Sequence, residues 1–394
     1  MNFCSNTNTA LFFSSIDEIS DKIWSHLNCE TNLYLHRDFL RSIEKHHSKI
    51  QFKYIVLVDD NSIPKAFASI QIIDFYLDAI QNDLESFVKK VKRFGKKLHI
   101  FPDDKALKIL ICGSTFVSGE HGIFINPIED KKSIIKELAK AILHLTNSDK
   151  NLKIDAFLLK DFLNEALFIT NELKDYGYHP LSVEPNMILH LDKDWLNFDD
   201  YLQALKTKFR VKAKKALQLS KPLKIENISL ENIENHLPKM THLYQKVATN
   251  ASFNLADFNL ETYKDFKEKL GDNYMLKTYW LNDNIVGFMS GIINNNSLDA
   301  HFVGIDYQQN RTYGIYQRML YDYVEIAIQK KVNLINFGRT ASEIKSSVGA
   351  EPQDLTMYVR HKKSITNKIL KLFLQRVQPT PFQQKFPFKN AVPQ

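Results

Sequence analysis

The sequence predicts a mixed α+β fold built as two successive modules, each a mixed sheet flanked by helices. Three observations carry that expectation. Apolar residues switch between helical spacing and alternation along the chain, and the order helix, strands, helix, strand, helix, strand runs once before residue 190 and again after it. A length of 394 residues exceeds one ordinary core and suits two domains of roughly 100–200 residues. Hydrophobic residues make up 44% of the chain, including 27 Phe and 16 Tyr, enough to fill two interiors. The expected division is 1–190, 191–362 and a basic, amphipathic 363–394.

In the first module, Ile16, Ile19, Ile23, Trp24 and Leu27 share one helical face, and Phe39, Leu40 and Ile43 another. Phe52–Val58 and Ala66–Ile73 read as strands around the polar turn Asp59-Asp60-Asn61. From Leu77 to Lys97 the pattern is an amphipathic helix; its run Lys89–Lys97 reads as a solvated face or as a nucleic-acid contact. Leu107–Cys112 predicts a strand entering the glycine-bearing loop Gly113–Gly122. Ile134–Leu145 and Phe162–Leu173 have helical spacing, with a buried strand over Leu152–Leu159 between them. Val183–Leu191 enters the next strand.

Trp195 to Pro222 predicts one two-faced helix, with Asp199 and Asp200 in its first turn. Leu202, Leu205, Phe209, Ala213 and Ala216 lie opposite Lys206, Lys208, Arg210, Lys212, Lys214 and Lys215. Such a stripe is either a solvated face or an attractor of phosphates and anionic lipid. Leu230–Ala248 and Leu260–Leu270 are helical. Met275–Leu281, Ile285–Ile293 and Leu298–Ile305 then form a meander through Asn282-Asp283-Asn284 and Asn294–Ser297. A loop with Arg311-Thr312-Tyr313-Gly314 leads to a helix with Ile315, Met319, Leu320, Tyr323, Val324 and Ala327 on one face. Val332–Phe337 and Leu355–Arg360 close the sheet. The helix Ile365–Val377, mixed with lysines and followed by Pro379, Pro381, Phe386 and Phe388, is either a core-docking C-terminus or an interfacial anchor on an anionic surface.

Composition bounds the function. A formal charge of +7 leans toward anionic partners without choosing among phosphates, acidic lipids, acyl carrier protein or RNA; no feature calls for DNA. Cys4, Cys29 and Cys112 have no paired spacing and no metal-ligand pattern, so no metal is expected and the chain reads as reduced and cytoplasmic. The first residues lack the basic and apolar regions of a secretory signal, and no apolar run reaches a membrane span; contact with a membrane would be peripheral, at the inner face of the cytoplasmic membrane.

A strand delivering a glycine-containing turn to a helix start presents unpaired N–H groups to one point, which suits a phosphate. Arg311-Thr312-Tyr313-Gly314-Ile315-Tyr316 resembles the Arg/Gln-x-x-Gly-x-Gly/Ala turn of the GNAT acyltransferase superfamily, departing from it at Tyr316, where the family carries a small residue. Gly338-Arg339-Thr340 through Glu343-Ile344-Lys345 to Gly349-Ala350-Glu351-Pro352 resembles the FemAB-like, or peptidoglycan biosynthesis/recognition, branch, and Cys112–Glu120 resembles the same branch. The resemblance implies a tandem GNAT fold and an N-acyltransferase, with acyl-CoA, acyl carrier protein or aminoacyl-tRNA as donor and an amine acceptor. An amino-lipid acceptor is favoured; the alternatives are tRNA-dependent aminoacyl addition to peptidoglycan precursors and a degenerate GNAT pair that only binds.

Such transfer needs a polarised carbonyl, a neutral amine and a protonated leaving group, but no covalent nucleophile, which agrees with the lack of a Gly-x-Ser-x-Gly elbow. Backbone N–H groups around Phe302–Ile305 are candidates for the oxyanion. The candidate catalytic side chains are Asp299 and His301, two apart on one strand face, with Tyr316, Glu343 and Lys345; the last two read equally as a surface ion pair. Arg339, Thr340, Lys208 and Arg210 are the candidate substrate contacts, and Gln309, Arg311, Gly314 and Ile315 the donor contacts.

Overall fold

In the computed structural model, which describes residues 3–4, 8–76, 106–250 and 255–389, the chain divides into two units that share it unevenly. The first holds the chain up to Val183, a short piece ending at Phe258, and Asp354–Pro379. The second holds Glu184–Asn250, Asn259–Gln353 and the chain from Thr380. The predicted helix from Leu77 to Lys97 with its basic run lies outside the described residues.

The first unit begins with strands β1 (Phe3–Cys4) and β2 (Thr9–Phe13) and helices α1 (Asp21–Leu27) and α2 (Arg37–His46). Ser20 caps α1 by accepting from the Ile23 amide, and Asn28 ends it at φ 49°. Strands β3 (Gln51–Val58), β4 (Pro64–Phe75), β5 (Leu107–Cys112) and β6 (Ile123–Ile125) follow, then α3 (Lys131–Ser148), β7 (Ala156–Leu163), α4 (Leu167–Thr170) and β8 (His179–His190), which belongs to the second unit from Glu184 on. The sheet runs β1-β2-β3-β4-β5-β7, antiparallel except between β5 and β7. Helix α3 crosses over between those two strands and buries Ile134, Ile135, Leu138 and Ile142 against Ile55, Ala68 and Leu110.

The stretch expected as one helix over Phe162–Leu173 is instead the end of β7, a 3-10 turn, the single turn α4 and a second 3-10 turn. Lys160 and Asp161 hide the strand from a hydrophobic reading, because both are buried within it. Asp161 Oδ2 accepts the Gly119 N–H at 3.2 Å and lies 3.4 Å from Lys160 Nζ, so the charges are compensated locally.

The second unit contains α5 (Phe198–Ala204), α6 (Thr207–Leu219), β9 (Lys224–Asn227), α7 (Ile233–Asn250), α8 (Thr262–Lys269), β10 (Tyr274–Leu281), β11 (Asn284–Asn294), β12 (Ser297–Ile305), α9 (Tyr307–Tyr313), α10 (Ile315–Gln329), β13 (Leu334–Asn336) and α11 (Ser342–Ser346). Its sheet runs β8-β13-β12-β11-β10-β9, and only β12 and β13 are parallel. The two hairpin turns place Asn282 and Asn295 at φ 53°, the left-handed conformation that asparagine tolerates. The single helix expected from Trp195 to Pro222 breaks at Leu205, which is extended and fully buried, bridged to Phe388. Lys206 N–H donates to Pro387 O at 2.7 Å, so the Pro/Phe tail covers the break. Phe388 also packs on Trp195 and Tyr201, with ring centroids 5.3 and 5.9 Å away.

Strand β14 (Glu351–His361) pairs antiparallel with β7 from Leu355, returning the chain to the first unit, and α12 (Ser364–Leu374) follows it. Helix α12 has no buried residue; Ile365 is 77% exposed and Leu372 62%. No helix among the described residues is long and apolar enough to cross a membrane.

Candidate functional site

In the second unit, β12 and β13 pair only through Ser297–Asp299 and Leu334–Asn336. Beyond that point β13 ends, while β12 continues from Ala300 to Ile305, so the strands part and leave a slot at the sheet's centre. A bulge in β12 accounts for the bend. The register jumps between Met289↔Val303 and Gly291↔Ala300, placing both His301 and Phe302 opposite Ser290. Ser290 is fully buried and staples the bulge: its hydroxyl donates to Phe302 O at 2.9 Å, takes the Phe302 N–H at 3.2 Å and meets the Tyr263 hydroxyl at 3.1 Å. Tyr323 donates to Ser290 O at 2.6 Å. On the far side Gly304 is required, since a Cβ there would lie 2.2 Å from Phe288.

His301 therefore has a place of its own. Its Nδ1 lies 3.2 Å from Ser290 Oγ, and its ring packs against Tyr263, Phe266 and Phe302. Asp299 instead takes a hydrogen bond from Ser297 Oγ at 2.7 Å.

The expected open turn before the next helix is itself a helix. Asp306 caps α9 by accepting from the Gln308 and Gln309 amides at 3.0 and 3.3 Å, which converts the stretch around Arg311 into helix. The break falls at Gly314 alone, at φ +59°, where an added Cβ would meet no atom within 4 Å. Ile315 is buried at the start of α10, and the Tyr316 amide is taken by Asn310 Oδ1 at 2.8 Å. Burial raises the Tyr316 phenol above its ordinary value, so it stays protonated. Gln309 is half-buried and Arg311 exposed.

After β13 the backbone turns through three left-handed residues, Gly338 at φ 69°, Thr340 at 64° and Ala341 at 50°. Non-glycine residues in this region cost on the order of 1 kcal/mol each and collect at functional sites. Lys345 holds the turn in place. It is buried, and its amine donates to Arg339 O at 2.6 Å and Gly338 O at 3.2 Å. Burial pushes that amine down to about 7. The alternative of a surface Glu343–Lys345 pair is thereby corrected: Glu343 is exposed and pairs with Lys385 at 2.9 Å. Arg339 is half-buried and Thr340 exposed on the same turn.

The basic helix α6 packs against both α9 and α10, and Lys212 Nζ reaches Ser347 Oγ at 3.4 Å. Its apolar face, Phe209, Ala213 and Ala216, joins the core, leaving Lys208 exposed and Arg210 half-buried on the outer face. The basic helix thus neighbours α9 and α10 and, through Ser347, the end of α11.

No protein-family model matches the sequence, and the search of curated proteins found no match. Solved structures do match. FemX has a TM-score of 0.53 at 11% identity, covering 92% of this chain and 99% of that one. A tandem GNAT protein from the clavulanic acid biosynthesis pathway has a TM-score of 0.51 at 9% identity, covering 89% and 98%. L-PGS from Bacillus licheniformis has a TM-score of 0.50 at 10% identity, covering 91% and 98%. The chain has the tandem GNAT fold. Within a tandem GNAT fold the sequence found the slot strand, the helix α10 and the turn after β13. It missed Ser290 and Asn310, whose hydrogen bonds hold the bulge in β12 and the start of α10, and it offered Asp306 as a site candidate where the structure uses it as the cap of α9.

Proposed function

We propose that this protein is an N-acyltransferase that moves an acyl or aminoacyl group from an activated thioester or ester to an amine, with the second unit as the reacting module. The observation carrying this reading is the parting of β12 from β13 beside the start of α10, inside a tandem GNAT fold. Such a slot offers strand-edge amides to a carbonyl oxygen and the positive end of a helix to a phosphate-bearing carrier. Lys208, Arg210 and Arg311 would hold the carrier's phosphates, with Gln309, Gly314 and Ile315 as the backbone they rest on. Acyl-CoA, acyl carrier protein and aminoacyl-tRNA all present such phosphates.

In the reaction, the amine nitrogen attacks the donor carbonyl carbon, a C–N bond forms, and the C–S or C–O bond breaks. The surplus proton on nitrogen goes to Glu343, the exposed carboxylate beside the strained turn. The leaving thiolate or alkoxide takes its proton from Tyr316, whose burial keeps the phenol charged with one. Arg339 and Thr340 would hold the acceptor, Arg339 with its planar fork. Lys345 acts through the carbonyls of Gly338 and Arg339 and is a positioning residue. Asp299 and His301 are the competing location for the base. An amphipathic amine is the favoured acceptor, because α12 is a basic amphipathic helix with exposed Ile365 and Leu372, suited to an anionic membrane surface.

The test incubates the full chain with a long-chain amine and, in separate arms, acyl-CoA, acyl carrier protein or aminoacyl-tRNA, and weighs the product. One arm is expected to yield the amide. Glu343→Gln and Tyr316→Phe should each lower kcat by about 10²-fold or more. If both retain turnover while Asp299→Asn or His301→Gln loses it, the chemistry sits on β12; product in no arm overturns the transferase reading.

A further inference from the structure

The first unit contains a cavity that this reading does not use. It lies where β5 and β7 part: the two pair in parallel only from Ile109 to Cys112 and from Ala156 to Leu159, after which β5 enters the loop at Gly113 and β7 runs on to Leu163. Its volume is about 510 Å³, within the range that encloses a small ligand. Ile123, Ile135, Phe162 and Ile169 give it apolar walls.

Four charged side chains border it: Glu120, Lys131, Lys160 and Glu165. Lys160 is committed elsewhere, donating to Ser114 O at 2.7 Å and Val117 O at 3.4 Å with Asp161 beside it. Two carboxylates then face one lysine. Glu120 Oε1 accepts the Leu163 N–H at 2.8 Å, which fixes the carboxylate at the mouth of β7. Burial first, and then the charge of Glu165, raise Glu120 above the ordinary carboxylate range.

We propose that this cavity binds a single-chain primary ammonium, its hydrocarbon on the apolar walls and its charged head on Glu120. A cation relieves the repulsion between Glu120 and Glu165 and forms a charge-assisted hydrogen bond with a partly desolvated carboxylate. A carboxylate ligand would add a third like charge, and an alcohol would leave the repulsion in place. Hydrocarbon burial favours all three chains equally, so the head group decides the preference.

Titration calorimetry on the full chain, with decylammonium, decanol and decanoate below their micelle concentrations, tests this. Decylammonium is expected to bind at least about tenfold tighter than decanol, and decanoate more weakly than both. Glu120→Gln, which keeps an acceptor for the Leu163 amide, should abolish the preference for decylammonium over decanol. Ala166→Leu, which fills the cavity, should weaken decylammonium and decanol alike. Equal binding of decylammonium and decanol overturns the proposal, as does a preference that survives Glu120→Gln or binding indifferent to Ala166→Leu. Should Glu120→Gln fail to fold, the head-group ranking and Ala166→Leu decide alone. No acyl donor enters these measurements, so their failure would leave the reading of the second unit standing.

Discussion

Each unit uses one buried lysine to shape a glycine-led loop: Lys160 reaches Ser114 O and Val117 O in the first, and Lys345 reaches Gly338 O and Arg339 O in the second. An ammonium with two carbonyl acceptors can hold a backbone that left-handed residues would otherwise relax. Lys345→Met keeps length and burial but strands both carbonyls, and is expected to cost about 1–3 kcal/mol in denaturant unfolding where the amine is neutral, a cost that shrinks as pH falls toward 7. The pH dependence follows from the lowered amine. The unfolded chain keeps its proton up to about 10.5, the folded chain releases it near 7, and between those values the unfolded state binds more protons. Stability from this group is therefore present above 10.5 and is lost as pH falls through 7, by on the order of 1 kcal/mol per pH unit across the window. Denaturation curves at pH 7.5 and 9.5 should show the rise in the native chain and lack it in Lys345→Met; equal rises would place the titrating group elsewhere. The inward lysine was not legible beforehand, since Glu-x-Lys before a glycine reads equally as a catalytic pair or a surface pair, and only the fold reveals that the lysine points inward.

At the scale of elements, α12 and the tail after it have opposite fates that the sequence left joined. Phe388 docks into the second unit, within 2.4 Å of where a Cβ on Gly349 would stand, so Gly349 at φ +105° makes room for it. Helix α12 has no fully buried residue, and Lys368 and Lys371 accompany its exposed Ile365 and Leu372. The double substitution Ile365→Glu, Leu372→Glu should leave the thermal midpoint within a degree or two, because surface changes shift stability by no more than about 0.5 kcal/mol. It should also remove co-sedimentation with anionic vesicles, whereas the native chain's recovery falls with salt only in part, since apolar insertion is not screened. Recovery unchanged by the substitution would sink the membrane reading of α12. Strands β3, β4 and β10–β12 were readable within two residues or so, because short apolar, β-branched and aromatic runs bounded by polar turns mark strands whether one face or both are buried. The same rule misplaced β7, where Lys160 and Asp161 interrupt the pattern, and overlooked α9, whose helix depends on the Asp306 cap rather than on an apolar stripe.

For the whole molecule, two modules were readable from length and from the repeated order of elements, but not how the chain is shared between them, because β14 pairs across nearly two hundred residues of sequence with no local signal. The consequence is testable. Residues 1–183 alone lack β14, and with it Tyr358, which is fully buried, takes a hydrogen bond from Thr170 Oγ1 at 3.1 Å and packs on Phe162 with ring centroids 5.7 Å apart. They also lack Arg360, whose guanidinium lies 5.2 Å over Phe157, and Asn367, which donates to Gly177 O at 2.8 Å. Losing Tyr358 alone removes about 3–5 kcal/mol, a large share of a domain's usual margin, and the edge of β7 is left open to association. The fragment 1–183 is therefore expected to show no cooperative unfolding and to aggregate. Joining residues 354–379 to it through a flexible linker should restore a cooperative transition, weakened by about 1.5–3 kcal/mol for the missing Phe258, which is buried against His47 and Phe116. Circular dichroism during urea titration reads both. A cooperative, monomeric transition in 1–183 alone would mean that β14 completes the first unit without being needed for its fold.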